Sequence, residues 1–593
     1  MRFPFKVPKI GDFIVKKLLV YLKDYKKESL LGPLFKLVEV IFELLVPLVM
    51  ASLIDDGIAR EDQGYIVRMF LLLVLFGLLG LAASVSAQFF AAKAAAGFAK
   101  KLKHALFAHI QTLSFAELDK LGTASLITRM TSDMNQVQTG VNMTLRLLLR
   151  SPFVVLGAMI LAVTFDVKAA MIFVVAIPVL SVVVFGIMIW CIPQYRKVQE
   201  RLDGVLSMTR ENLTGARVIR AFCKEEEEIT QFQKKNEMLT FLQKHVGHIS
   251  SLMNPVTYII INIAIAVLIW NGAVQVAAGD LTQGQVVALY NYMSQILVEL
   301  IKLANLIINM TKSIACGNRI QSVFEITASM EEGTLDQVQE HGTYMVEFDH
   351  VGLQYSQGGE EALSDISFHA RPGDVIGIIG GTGSGKSSLV NLIPRFYEAT
   401  SGSIFIDGKD IKDYSFESLR TKVSVCLQKA VLFQGTIREN MKWGKADATD
   451  EEIYEALTIA QAKEVVDSKE GKLEYCISQG GKNLSGGQRQ RLTIARALLQ
   501  DADVLILDDS SSALDYATDA ALRKALASMK KKMTIFLVSQ RTSSIQHADQ
   551  ILVLDDGKLV GKGTHEELLS DCQVYQEIYY SQFKKEAVKN GEN

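Results

Sequence analysis

From Ala169 to Pro193 the chain runs without one charged side chain. A bilayer core takes about 20 mostly apolar residues in a helix, since a helix satisfies its own backbone amides where no water reaches. That stretch therefore predicts a membrane span. Met69 to Ala92, Leu147 to Phe165, Met253 to Gly279 and Leu281 to Val298 meet the same requirement. A further segment, Leu31 to Ile54, is interrupted by Lys36, Glu39 and Glu43. Six spans are expected. Buried helices of a soluble bundle are the alternative, and the uncharged stretch argues against them.

Basic residues flanking spans stay on the cytoplasmic side. Arg2, Lys6, Lys9, Lys16, Lys17, Lys23, Lys26 and Lys27 precede the first span; Lys93, Lys100, Lys101 and Lys103 follow the second, and Arg196 and Lys197 the fourth. The opposite connections carry Asp55, Asp56, Glu61 and Asp62, or only Asp166 to Lys168. Both termini are thus expected in the cytoplasm of a multi-pass protein of the cytoplasmic membrane. Residues 1–28 interleave basic and apolar side chains, which suits an amphipathic helix lying on the inner leaflet and touching membrane lipids, not a signal peptide.

The cytoplasmic connections Lys93 to Arg146 and Gln194 to Leu252 are long, with apolar residues at helical spacing, as in Leu102, Leu106, Ile110 and Leu113. Spans extended as helices would explain this. Each has a break, at Ser114 to Thr123 and at Asn212 to Phe222, where a short crosswise helix fits; a solvated loop is the alternative. Gln295, Glu299, Lys302, Asn305 and Asn309 share one helix face, and Lys36, Glu39 and Glu43 form a similar stripe. Such polar stripes suit a translocation cavity, or else helix–helix contact or a helix continuing beyond the bilayer. Pro178 and Pro255 are candidate kinks.

Lys and Arg number 62 against 64 Asp and Glu, so no basic excess calls for a nucleic-acid partner. Six scattered cysteines without a CxxC pair argue against a disulfide scaffold or a structural zinc. The spans occupy a transmembrane domain at 29–312. Residues 313–343 read as a linker, with Glu, Asp and Gln enriched in Ala328 to His341, and 344–593 as an α/β domain.

In that domain an apolar strand, Val375 to Ile379, runs into Gly380, Gly381, Thr382, Gly383, Ser384, Gly385, Lys386 and Ser387, and Ser388 to Ile393 is helical in pattern. This is G-x-x-x-x-G-K-S between a strand and a helix. The glycines let backbone amides wrap phosphates at the positive end of a helix. Lys386 would reach the β and γ phosphates of ATP, and Ser387 would ligate Mg²⁺. A second strand, Val504 to Leu507, ends in Asp508 and Asp509; Asp508 is the expected second carboxylate contact to Mg²⁺.

Between these lies Leu484-Ser485-Gly486-Gly487-Gln488. Here the chain resembles the ATP-binding cassette (ABC) transporters, and its whole length, six spans followed by one cassette, looks like an exporter half-transporter. The resemblance implies an all-α six-helix transmembrane domain plus an α/β P-loop nucleotide-binding domain with an added antiparallel sheet. It implies that Tyr355 stacks on adenine and that Ser388 joins the phosphate loop. By the same resemblance, Gln428 senses Mg²⁺ and the attacking water, and Asp515 lies in a loop that crosses the dimer. Ser485, Gly486, Gly487 and Gln488 would hold a γ phosphate bound to the other subunit. Phe115 to Lys120 and Asn212 to Ala221 look like the family's coupling helices.

Two positions depart from the family pattern. Asp509 stands where hydrolytic cassettes carry Glu, and Gln540 where they carry His. With Gln428 these form the expected catalytic set. Asp is one methylene shorter, and Gln cannot carry the charge of His. A slow site beside an intact signature resembles the degenerate-site subunit of bacterial heterodimeric multidrug exporters, with a second half-transporter as partner. A homodimer with two slow sites is the alternative. Ser478-Gln479-Gly480-Gly481 is a further departure, near the coupling contact. The expected cargo is amphipathic, whether drug-like, lipid or peptide, in a cavity offering Tyr258, Tyr290, Asn291, Tyr292 and Met293.

Overall fold

A computed structural model describes residues 15–336, 342–355, 359–529 and 532–583. The chain divides into two compact units. One holds the residues up to Gln111 together with Gly122–Ile326, and the other Thr112–Leu121 with Thr327 onward.

Among the described residues of the first unit six helices are long and apolar enough to cross a membrane: Leu19–Ile58, Gln63–Thr112, Thr123–Phe165, Val167–Thr214, Glu225–Ala278 and Gln283–Phe324, here called spans 1 to 6. Each extends well past the apolar segment that predicted it. Large side chains such as Leu71, Leu78, Val85, Val182 and Trp270 lie exposed on their outer faces, as a lipid-facing surface requires. The inner contacts use small residues. Gly32 of span 1 meets span 2 so closely that a Cβ would sit 3.3 Å from the Ala91 amide nitrogen, and the Tyr25 ring covers Gly97. Close backbone approach of this kind is what packs helices when the surrounding lipid is as apolar as the side chains.

Several sequence expectations change here. Residues 1–14 of the expected amphipathic helix lie outside the described residues, and Leu19–Tyr25, the start of span 1, is a 3₁₀ segment. Pro255 sits in the first turn of Met253–Ala278, where a missing N–H costs no helical bond. Span 6 continues as helix through residues 313–324, which the sequence pattern assigned to the linker. Cys316, Ile320 and Val323 are buried there, and Arg319 pairs with Asp133 of span 3 at 2.5 Å. Tyr292 and Met293 are fully buried core, not cavity wall, and the Tyr292 hydroxyl donates to the Leu44 carbonyl at 2.7 Å.

The two polar stripes are joined by a residue that neither contains. Arg150 of span 3 reaches Glu39 at 3.0 Å, Glu43 at 2.9 Å and Glu299 at 3.3 Å. Lys36 pairs with Glu39 at 2.5 Å, and Lys302 with Glu299 at 2.8 Å. Lys36, Arg150 and Glu299 are buried, so each charge depends on the others for what water would otherwise supply.

Among the described residues the second unit carries twelve strands: β1 (Val346–Leu353), β2 (Leu363–Ala370), β3 (Val375–Gly380), β4 (Ser401–Ile406), β5 (Lys409–Asp410), β6 (Val423–Cys426), β7 (Gly435–Thr436), β8 (Cys476–Ile477), β9 (Val504–Asp508), β10 (Thr534–Val538), β11 (Gln550–Asp555) and β12 (Lys558–Gly563). The main sheet has the order β12-β11-β3-β10-β9-β6, parallel except for β12. Its central strands are buried end to end, because both faces are covered, and so they read as unbroken apolar runs. A separate antiparallel sheet has the order β2-β1-β4-β5.

The crosswise helix α1 (Phe115–Leu121) packs within this second unit. Its Phe115 ring lies 4.6 Å from Phe396, and Asp119 accepts a bond from the Tyr397 hydroxyl at 2.5 Å. The second crosswise helix, α2 (Ala216–Ala221), forms as expected in the first unit. The described end of the linker is not free. Leu335 N–H donates to Asp413 O at 2.8 Å, and Glu332 accepts from the Phe416 amide at 2.9 Å.

Candidate functional site

Strand β3 ends at Gly380, and the chain turns through a loop into α3 (Lys386–Leu392). The turn depends on glycine. Gly383 and Gly385 take φ +85° and +94°, a region closed to most side chains, and a Cβ on Gly380 would collide with the Leu554 carbonyl. Gly381 and Gly383 are exposed, and a Cβ on either would meet nothing within 4 Å.

Lys386 folds back on this loop. Its Nζ donates to the Gly380 carbonyl at 3.0 Å, the Gly381 carbonyl at 2.6 Å and the Ser384 hydroxyl at 3.3 Å. Burial pulls its pKa below the usual lysine value, against the pull of Asp509 and Asp508. The ammonium is thus held by weak acceptors and gains when a phosphate replaces them.

Strand β9, separated from β3 by β10 in the parallel sheet, brings the acidic groups to the same edge. Strand β9 ends in Asp508, whose Oδ1 accepts from Ser387 Oγ at 3.0 Å. Asp509 comes next with φ +43°, a conformation that Asp tolerates better than most residues, and accepts from Gln428 Nε2 at 3.4 Å. Burial raises the pKa of both carboxyls, and a nearby cation would oppose that shift by favouring the charged form.

These groups surround a cavity of about 380 Å³ lined by Tyr355, Thr382, Gly383, Gly385, Lys386, Ser387, Ser388, Gln428, Asp508, Asp509 and Gln540. Ala362 and Val538, which the sequence did not single out, complete the wall. Gly380 and Ser384 are buried beneath the loop. Tyr355 closes one side; its hydroxyl donates to Ser388 Oγ at 2.9 Å, and its half-exposed ring stands edge-on to Tyr397 at 5.1 Å. Tyr397 carries no motif that would mark it in the sequence, although it links this wall to Asp119 of α1.

The donor set fits a magnesium nucleotide. A hydroxyl, a carboxylate and an amide oxygen are hard ligands of the kind Mg²⁺ takes, and a glycine loop with a lysine at a helix N-terminus suits a polyphosphate.

The signature residues do not join this cavity. Ser485 caps α4 (Gly486–Leu498): its hydroxyl accepts from Gln488 N–H at 3.3 Å, while Gln488 Oε1 accepts from Ser485 N–H at 3.0 Å. Ser485 and Gly486 are exposed, and a Cβ on Gly486 would meet nothing within 4 Å. They form an open helix N-terminus, and among the described residues no partner is found for the Gly486 and Gly487 amides. Asp515 is likewise apart. It caps α5 (Tyr516–Ala527) by accepting from Thr518 N–H at 2.9 Å, and that bond holds its carboxyl below the usual range. In the 478–481 segment, Gly480 and Gly481 both take positive φ, and Arg489 donates to the Gly481 carbonyl at 3.2 Å.

Family profiles described as "ABC transporter transmembrane region" and "ABC transporter" match residues 29–300 and 363–512. The chain is 36% identical to the uncharacterized ABC transporter ATP-binding protein YfiB of Bacillus subtilis, over 96% of this chain and 99% of that protein. It is 30% identical to the ATP-dependent lipid A-core flippase of Hahella chejuensis, over 97% and 98% respectively. Among solved structures, a bacterial Atm1-family ABC exporter with ATP bound superposes with a TM-score of 0.79 at 21% identity, covering 94% of this chain and 99% of that one.

Proposed function

Because the chain belongs to the ABC transporter family, as a multi-pass membrane protein with an exporter half-transporter fold, we propose that it is one subunit of a heterodimeric, ATP-driven exporter of amphipathic molecules. Its termini lie in the cytoplasm of a bacterial cell. Its own ATP site turns over slowly, and its signature completes the fast site of the partner.

The site residues divide the work. The amides of Gly381 and Gly383 and the Lys386 ammonium take up phosphate charge, releasing Lys386 from the loop carbonyls that now hold it. Tyr355 swings off Ser388 to stack on the adenine. Ser387, Asp508 and Gln428 are the ligands for Mg²⁺, which when bound neutralises phosphate charge. Asp509 is placed to polarise a water, and Gln540 to donate to the γ phosphate. Ser485, Gly486 and Gly487 offer an open helix N-terminus to the phosphate held by the partner chain, so a nucleotide binds fully only between two cassettes.

The observation that carries the asymmetry is the pair Asp509 and Gln540 on one wall of the cavity, beside an unaltered signature. A poorly placed general base costs about 10² to 10⁴ in rate. Both departures fall in one site, while Lys386, Ser387 and Asp508 keep the family pattern. Such a cassette holds ATP and leaves hydrolysis to the site that its signature completes.

The test is the ATPase rate of the purified chain, alone and with its co-expressed partner, and then ATP-driven uptake of dyes and labelled lipids into inside-out vesicles. Slow turnover alone and fast turnover with the partner support the heterodimer. Robust turnover by a monodisperse homodimer overturns it.

A further inference from the structure

The membrane unit contains an open cavity of about 510 Å³ between spans 1 and 2. Phe42, Val46, Leu73 and Phe76 give it an apolar wall, and Glu43 and Arg150 stand at its polar end. An apolar body with a few convergent polar groups is the usual form of a small-molecule site.

The polar end is unevenly satisfied. Glu39 meets two cations, Lys36 and Arg150; Glu299 meets Arg150 and Lys302, with Ser151 donating to its other oxygen at 3.0 Å. Glu43 meets Arg150 alone, through Oε2, and among the described residues no partner is found for its Oε1. Glu43 is also the carboxylate with the most exposure, its side chain 37% accessible against 15% for Glu39 and 3% for Glu299. Arg150 is 7% accessible, and its Nε is enclosed, with no acceptor found among the described residues. The cavity thus presents one carboxylate oxygen, Glu43 Oε1, for which no protein partner is found among the described residues. Leaving it unmatched is costly where water is scarce.

We propose that this cavity binds an amphiphile whose polar end carries a protonated amine. The amine donates to Glu43, and the apolar body lies against Phe42 and Phe76. An anionic head would face the Glu43 carboxylate, and a neutral one would leave it unpaired, so both are disfavoured. This rests on the exporter reading only for the claim that the bound amphiphile is cargo; the binding itself stands apart from it.

The experiment uses the full-length chain in lipid nanodiscs without ATP, with empty nanodiscs subtracted. Equilibrium dialysis compares propranolol, an aryloxy amino-alcohol, with its uncharged N-acetyl derivative and with the 1-naphthoxyacetate anion. Propranolol is expected to bind best, and Glu43→Gln to weaken it at least tenfold while leaving the N-acetyl derivative unchanged. Gly77→Leu keeps the test valid should Glu43→Gln fail to fold. Its side chain enters space where a Cβ on Gly77 meets nothing within 4 Å, and it should weaken propranolol by narrowing the cavity. Equal affinity in Glu43→Gln or Gly77→Leu, or preference for the anion, overturns the site. If propranolol binds through Glu43 yet no amphiphile is moved into vesicles with ATP and the partner, the exporter reading fails and the site survives. If export proceeds while propranolol ignores Glu43, the site alone fails.

Discussion

The Ser387 hydroxyl donates to Asp508 Oδ1 across 3.0 Å, so the two groups proposed to share Mg²⁺ already touch. Ser387 opens α3 and Asp508 ends β9, and β3 and β9 both flank β10 in the parallel sheet. The metal site is therefore assembled by strand order. Ser387→Ala should remove most of the gain in ATP affinity that Mg²⁺ provides, about tenfold or more, since hydrogen bonds to charged groups contribute about 1.5–3 kcal/mol. Binding in EDTA should change little. Titration of a fluorescent ATP analogue with and without Mg²⁺ reads the difference; an equal loss in both conditions would show that the serine acts only on the loop.

Gly486→Asp should keep the fold, because the new side chain enters open space at the start of α4, and an acidic group at a helix N-terminus stabilises it by about 0.3–1 kcal/mol. Its charge would repel the phosphate held by the partner. ATPase activity of the assembled transporter is expected to fall at least about tenfold, the scale of losing one stabilising contact in a reacting site, while nucleotide binding by this chain's own loop persists. Full activity in a folded variant would rule out the composite site.

Asp509→Asn should change total turnover less than about twofold, because a site already slowed by about 10² to 10⁴ contributes little. Neutralising the partner's corresponding glutamate should nearly abolish it. Asp509→Glu with Gln540→His should raise hydrolysis at this site by restoring both the base and a cationic donor. Single-turnover assays with each site blocked in turn measure this, and equal effects of the two neutralising changes would mean equivalent sites.

Tyr397→Phe removes one hydroxyl and keeps the ring. Asp119 of α1 then loses its 2.5 Å partner, while the edge-on contact with Tyr355 remains. Nucleotide affinity should be retained and stimulation of ATPase by transported amphiphile reduced, by roughly fivefold for a bond contributing about 1 kcal/mol. Asp119→Asn should behave alike. A variant with full stimulation would leave the hydroxyl without a coupling role.

His565 gives the cassette a pH dependence. Its Nδ1 lies 2.7 Å from the Tyr575 hydroxyl, and burial lowers its pKa from the usual 6.5. The unfolded chain then binds the proton more readily than the folded one, so this contribution to stability is whole above about pH 6.5. It is lost as pH falls through the lower folded value. Thermal unfolding of the wild type should lose ground to His565→Gln between about pH 7 and pH 5; parallel curves would show that the histidine is not linked.

The periodicity and the motif residues determined a good deal by themselves. An uncharged run such as Ala169 to Pro193 has one stable solution in a membrane, and the six mostly apolar segments appear as six membrane-capable helices among the described residues. The glycine pattern from Gly380 to Gly385 demanded a turn closed to other residues, and two of those glycines do take positive φ. The crosswise helices were legible as breaks in helical spacing. What the chain order could not reveal was which distant side chains meet. Arg150 is one arginine in an apolar run until spans 1 and 6 bring three carboxylates to it. Tyr292 looked like cavity lining because an aromatic residue reads the same on either face of a helix, and only packing against Leu44 placed it in the core. Tyr397 had no motif to mark it, since its role depends on α1 docking some 280 residues earlier in the chain. Local spacing decides secondary structure because backbone bonds and helical periodicity span a few residues. Ion pairs and cavities belong to long-range packing, where charges that pair in sequence-distant helices are set by the fold alone.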